Sequence, residues 1–233
     1  MNICGVQGLS LIDYPGRIAA VLFLGGCNFR CPFCHNADLV LRPRQLPCRS
    51  EDDVVGSLLR RRSLLDGVVV TGGEPLVHGD ELPALLRRLR DAGFAIKLDT
   101  NGYEVGVLSK VLTSGLVDYV AMDVKTSLTK YSEAAGRSID PQRIVSAVDV
   151  IRGCGLPHEF RTTCVPGLVE REDVVAVATM LGSRERYYLQ QFCPGDAVLD
   201  PAWRDVKPHA PSVLRSFAEA ASGLVASVAM RGV

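Results

Sequence analysis

The chain has no surplus of either charge: 26 Lys and Arg are matched by 26 Asp and Glu in 233 residues. Such a balance removes the electrostatic footprint that marks binders of nucleic acid or anionic membranes, so neither partner is expected. Long apolar runs are missing too. The longest, Ile18 to Leu24, falls far short of the roughly 20 residues a bilayer-spanning helix needs. No basic segment leads into an apolar one near the N-terminus, where Asp13 and Arg17 interrupt the stretch a leader would occupy. Without export signals the eight cysteines read as reduced thiols or ligands, which implies a reducing, cytoplasmic setting. Internal repeats, low-complexity tracts and linkers are also lacking, so one domain over 1–233 is expected. The 47% hydrophobic content is enough at this length to bury a full core.

Short β-rich runs alternate with helical patterns along the chain. The strands are expected at Ile18–Leu24, Gly67–Thr71, Ala95–Thr100, Tyr119–Val124, Glu159–Cys164 and Tyr187–Phe192. Ser50, with Asp53 three residues on, is placed to cap a helix starting near Glu51, and Asp140-Pro141 opens another. Gly93 and Gly115 fit as helix stops. Six βα units in series argue for a parallel α/β sheet with right-handed crossovers, either doubly wound and open or a partial barrel.

The most informative segment is GCNFRCPFCHN at 26–36, which puts Cys27, Cys31 and Cys34 in a C-x3-C-x2-C loop just after the first expected strand. Four-iron clusters normally take four thiolates, so a three-cysteine loop leaves one iron open to a small molecule. The competing readings are a structural zinc site, for which His35 is badly placed as fourth ligand beside Cys34, and a disulfide, which would leave one thiol over. In parallel α/β folds ligands gather beyond the carboxyl ends of the strands, and those ends here carry glycines and charges. The segment TGGEP brings Gly72, Gly73 and Glu74; LDTNG brings Asp99 and Asn101; MDVK brings Asp123 and Lys125; and Arg161 lies in the fifth strand. Two glycines let backbone approach a ligand, a carboxylate can accept from an ammonium, and charges rarely sit unpaired inside a parallel strand.

CNFRCPFC, with Phe33 as the aromatic before the third cysteine, resembles the signature of the radical S-adenosylmethionine (SAM) superfamily. The resemblance implies a (β/α)6 partial TIM barrel, one 4Fe-4S cluster on Cys27, Cys31 and Cys34, and SAM chelated to the open iron. In that superfamily an electron from the reduced cluster breaks SAM to a 5′-deoxyadenosyl radical that abstracts hydrogen from the substrate. TGGEP resembles the family's GGE motif, so Gly72, Gly73 and Glu74 carry over to the amino group of SAM. By the same resemblance Lys125 meets the SAM carboxylate, and Asp123 a ribose hydroxyl or a nearby cation. Asp99, Asn101 and Asp123 lie at a rim that can also hold a monovalent cation. Arg161 either pairs with a carboxylate or is directed to solvent, and His35 and Asn36, beside the motif's aromatic Phe33, shape the cluster loop rather than act as acid or base.

From about Leu9 to Pro194 the chain resembles, more narrowly, anaerobic ribonucleoside-triphosphate reductase activating proteins and their pyruvate formate-lyase activating relatives. This implies a glycyl-radical enzyme as protein substrate and a flavodoxin- or ferredoxin-type electron donor. QQFCPG departs from that pattern, with Gln191 and Cys193 where a His is usual. Rival readings are a small-molecule radical SAM enzyme, such as a 7-carboxy-7-deazaguanine synthase-like enzyme, and an iron-sulfur electron carrier or structural zinc protein. Replacing any one of Cys27, Cys31 or Cys34 by Ala is expected to abolish SAM cleavage, read as 5′-deoxyadenosine released by the reconstituted, reduced protein; a variant retaining full cleavage would refute the ligand assignment.

Overall fold

The computed structural model describes Met1 and residues 3–233. Eight strands form: β1 (Ile3–Ser10), β2 (Ala19–Leu24), β3 (Gly67–Gly72), β4 (Ala95–Thr100), β5 (Tyr119–Asp123), β6 (His158–Cys164), β7 (Arg186–Gln191) and β8 (Ser227–Arg231). The helices are α1 (Ala37–Leu41), α2 (Glu51–Leu59), α3 (Glu81–Asp91), α4 (Val105–Thr113), α5 (Tyr131–Ala134), α6 (Gln142–Gly153), α7 (Arg171–Leu181) and α8 (Pro211–Ala221). Within each unit strand order follows chain order. All six expected strands are present, with ends within one residue. The two additions flank them: β1, interrupted by Gly5 and Gly8, and β8, whose five residues are all at least partly exposed. Neither has the apolar run by which β2, β3 and β5 declare themselves.

The chain divides into two compact units. One comprises Met1–Asn28, Asp38–Ala121 and Gly153–Pro157; the other Phe29–Ala37, Met122–Arg152 and His158–Val233. In the first, β1 runs antiparallel to β2, and β2, β3 and β4 pair in parallel. AAVLFL and GVVVTG are buried at nearly every position, as strands covered on both faces must be. Helix α3 buries Leu82, Leu85, Leu86 and Leu89, a spacing that lines up one helical face. Its outward Arg90 grips Asp118 at 2.7 and 2.8 Å, and Asp118 in turn accepts from the backbone N–H of Ile96, fixing the start of β4. Ser50 caps α2 by accepting from Asp53 N at 3.1 Å, as its position foretold.

In the second unit β6, β7 and β8 pair in parallel, and α8, which packs against α7 and β8, buries Leu214, Phe217 and Ala221. The short α5 ends at Gly136, which has φ +63° and lies flush against the 29–37 segment: a β-carbon there would sit 2.0 Å from the carbonyl oxygen of Arg30. Arg30 N donates to Ala135 O at 2.8 Å, so backbone meets backbone with no room for a side chain. No helix among the described residues is long and apolar enough to cross a membrane.

Gly136→Ala must both adopt the left-handed region and push the Arg30 carbonyl aside, at a combined cost of about 2–3 kcal/mol. The thermal unfolding midpoint is expected to fall by roughly 4–10 °C in a chain of this size, measured by calorimetry.

Candidate active site

In the first unit the site begins where β3 ends. Gly72 has φ +128°, and a β-carbon on it would lie 2.2 Å from Leu24 N; one on Gly73 would lie 1.9 Å from Gly26 O. The two glycines are required because the chain leaving β3 is laid directly on the chain leaving β2. Gly73 N donates to Leu24 O and Glu74 N to Gly26 O, each at 2.8 Å, while Gly26 N donates to Leu39 O at 2.8 Å. The residue before Cys27 is thereby pinned on both sides.

Glu74 is 1% exposed, and its carboxylate is engaged by the protein. Oε1 accepts from Thr100 Oγ1 at 2.6 Å and Leu76 N at 3.0 Å, and Oε2 accepts from Asn101 N at 2.6 Å. The side chain is a strut joining the ends of β3 and β4. Asn101 continues the network, donating through Nδ2 to Asn28 Oδ1 at 2.7 Å, and Asn28 donates to Glu104 Oε1 at 3.2 Å. Asn28 and Glu104 escaped the sequence reading, although Asn28, next to a candidate ligand, was open to inspection. Asp99 accepts from Lys97, a lysine only 1% exposed that also lies 6.0 Å from the Tyr119 ring centroid.

In the second unit the other half of the cysteine loop is held by backbone hydrogen bonds and by one side chain, that of His35. Cys34 N donates to Cys31 O at 3.1 Å, closing a turn. Leu199 N donates to Cys34 O at 2.9 Å and Asp200 N to Pro32 O at 3.0 Å, so a segment from beyond β7 clasps the loop. Phe33 is buried, and exposed His35 bonds through Nε2 to the carbonyl of Cys193 while its ring tilts against Phe192. His35 therefore braces the loop. Cys31 is buried, and its thiol is pushed up to about 11, chiefly by that burial, against the pull of the Lys125 ammonium.

Asp123 and Lys125, at the end of β5, pair at 3.2 Å. Arg161 of β6 bonds Asp123 through Nε at 2.8 Å, which settles its direction toward the carboxylate. Burial would raise the Asp123 carboxyl, but Arg161 and Lys125 outweigh it and hold it well below the usual carboxylate range. Its contribution to stability is thus present above about pH 4 and is lost as pH falls below that toward the depressed value. Burial would lower Lys125, yet Asp123 keeps it well above its usual value, so it remains a cation. The ladder extends to two residues missed in the sequence. Glu159, with no exposed surface, accepts both guanidinium nitrogens of Arg231 in β8, at 2.8 and 2.9 Å, and lies 3.9 Å from Arg161. Arg231 stacks over Tyr188 at 3.8 Å. The signal for Glu159 was the same as for Asp123, a charge in a parallel strand. A cation at Asp99 or Asp123 would have to compete with Lys97, Arg161 and Lys125.

Among the described residues no three His, Cys, Asp or Glu side chains are already gathered as a metal site. What suits the loop to an iron-sulfur cluster is its donor chemistry, three soft thiols on an anchored backbone. The profile of the radical SAM superfamily matches residues 21–180, which take in parts of both units. The chain belongs to the radical SAM superfamily. A radical SAM protein uses a 4Fe-4S cluster and SAM, and this one is an enzyme of the α/β class with a parallel sheet. It is 31% identical to a candidate glycyl-radical enzyme activating enzyme of Methanocaldococcus jannaschii, over 99% of this chain and 96% of that protein. It is 26% identical to the pyruvate formate-lyase-activating enzyme of Streptococcus mutans, over 90% of this chain and 86% of that one. These matches place it among the glycyl-radical enzyme activating enzymes. The fold is shared with Streptococcus suis SuiB bound to S-adenosylmethionine, with a TM-score of 0.65 at 16% identity over 91% of this radical SAM chain; it spans 52% of that structure.

Glu74→Gln keeps the shape but turns half the strut into a donor facing donors, so one of Asn101 N, Leu76 N or Thr100 Oγ1 is left unsatisfied at a cost of about 1–3 kcal/mol. The thermal midpoint is expected to drop even without SAM; an unchanged midpoint would refute the strut.

Proposed function

We propose that this chain activates an anaerobic ribonucleoside-triphosphate reductase by installing a glycyl radical on it. The observation that carries the reading is the end-to-end match to a candidate glycyl-radical enzyme activating enzyme, 99% of one chain on 96% of the other. The choice of partner rests on the motif set LSLIDYPGRIAAVLFLGGCNFRCPFCHN, TGGEP, LDTNG, MDVK and VPG, which resembles the reductase activators. The reading treats 1–233 as one radical SAM core in a cytoplasmic setting, supplied with electrons by a flavodoxin- or ferredoxin-type protein.

When bound and reduced, the cluster supplies the electron that cleaves SAM to the hydrogen-abstracting 5′-deoxyadenosyl radical. The chain's own residues have positioning tasks. Cys27, Cys31 and Cys34 would hold the cluster, with Phe33 and His35 fixing the loop that carries them. Gly72 and Gly73, whose backbone is brought close by the absence of side chains, form with Glu74 the subsite for the SAM amino group. Lys125, kept cationic by Asp123, pairs with the SAM carboxylate. Asp123 is aimed by Arg161, while Asp99 and Asn101 complete the rim above β4. Hydrogen-atom abstraction needs no proton relay, so no general base is called for.

The test is anaerobic. The reconstituted, reduced protein is mixed with SAM and an anaerobic ribonucleoside-triphosphate reductase from the same genome, and the electron paramagnetic resonance spectrum is recorded. A glycyl doublet on the reductase with 5′-deoxyadenosine is the expected outcome. A doublet on another glycyl-radical enzyme alone would correct the partner, and 5′-deoxyadenosine with no doublet on any would turn the search to small-molecule substrates.

A further inference from the structure

Two cysteines outside the cluster loop are scattered in sequence and paired in space. Cys4 of β1 and Cys48, just ahead of α2, lie 44 positions apart, yet their sulfurs are 2.7 Å from one another. The pairing follows from the backbone. Ile3 and Arg49 form an antiparallel bridge in which Arg49 N donates to Ile3 O at 2.9 Å. Counting one residue along each strand sets Cys4 directly opposite Cys48. In an antiparallel pair the residues next to a hydrogen-bonded pair have α-carbons about 4.5 Å apart, inside the range of about 4.4–6.8 Å that a disulfide spans. Two sulfurs at 2.7 Å are closer than a thiol hydrogen bond needs and have only ~0.7 Å to travel to a bond of about 2.05 Å.

The two thiols differ in access, so the exposed one meets a solution disulfide first. Cys48 is exposed, whereas Cys4 is partly buried, its thiol pushed up to about 12 by burial and by the Cys48 sulfur. Both sulfurs reach the Pro43 carbonyl at 3.8 Å. On its inner side the Cys4 sulfur lies against Gly25, two residues before Cys27: a β-carbon on Gly25 would meet it at 2.8 Å and Pro43 Cβ at 2.9 Å. The pair thus sits beside the root of the cluster loop, where the strap of residues 43–48 meets the start of β1 in an antiparallel bridge.

We propose that Cys4 and Cys48 are a reversible oxidation site that forms an intramolecular disulfide with low-molecular-weight disulfides. The exposed Cys48, as thiolate, attacks one sulfur of glutathione disulfide, forming a mixed disulfide and releasing one glutathione thiolate. Cys4 then attacks the Cys48 sulfur, the second glutathione leaves, and the Cys4 proton goes to solvent or to that thiolate. Two protein thiols are oxidised and one glutathione disulfide is reduced to two thiols. The product clamps the strap to β1 beside Gly25.

The test uses reconstituted holoenzyme held under anaerobic conditions and titrated with glutathione disulfide, then alkylated, cut with trypsin and mapped by mass spectrometry. The expected result is a linked pair of peptides, 1–17 and 45–49, lighter by two hydrogens than their sum. It should be abolished by dithiothreitol and absent from the exposed-site variant Cys48→Ser. Three results would overturn the proposal: Cys4 still alkylated while Cys48 keeps its glutathione, both cysteines alkylated, or either one linked to a different cysteine.

Discussion

Most of the first unit's rim depends on one buried carboxylate. Glu74 receives Thr100, Asn101 N and Leu76 N, while its own N–H is given to Gly26 O. A single residue therefore joins the ends of β2, β3 and β4, the three strands from which Cys27, the glycine pair and Asn101 emerge. A buried carboxylate is costly unless fully bonded, and here the bonding partners are the groups the site must hold still. Gly72 and Gly73 are the other half of the same solution, since the strut reaches its partners only where backbone lies on backbone.

The second unit solves the same problem with charge. Arg231, Glu159, Arg161, Asp123 and Lys125 alternate in sign from β8 to the end of β5. Alternation is what makes such a row tolerable: each charge has an opposite neighbour, and removal of Glu159 or Asp123 would take from Arg231 or Lys125 its neighbour in the row. The ladder also explains why Lys125 is kept a cation.

Strands β2, β3 and β5 were legible in the sequence because strands covered on both faces read as continuous apolar runs, as at Val68–Val70 and Val120–Met122, whereas β4, β6 and β7 showed themselves only as short β-rich runs broken by Lys97, Arg161 or Gln190. Strands β1 and β8 were not, because an edge strand needs fewer apolar residues and theirs are diluted by glycine, serine and arginine. Cys27, Cys31 and Cys34 were singled out as candidate ligands from their local spacing. The pairings that fix them were not legible there: Gly26 with Glu74, Cys34 with Leu199 and Asn28 with Glu104 join residues far apart in the chain through backbone groups or ordinary polar side chains. Glu74 was found for its charge, but its role as a strut shows only once β3 and β4 lie side by side. Cys4 and Cys48 carried no signal at all until the Ile3–Arg49 bridge set their register.

The clasp formed by Leu199 and Asp200 on the carbonyls of Cys34 and Pro32 has a consequence for synthesis. The cysteine loop leaves the ribosome early, but two of its backbone hydrogen bonds cannot exist until about 165 further residues have been translated, some ten seconds or more at typical elongation rates. The loop meant for an oxygen-sensitive group is therefore among the last parts of the chain to be completed, although it is among the first to be made.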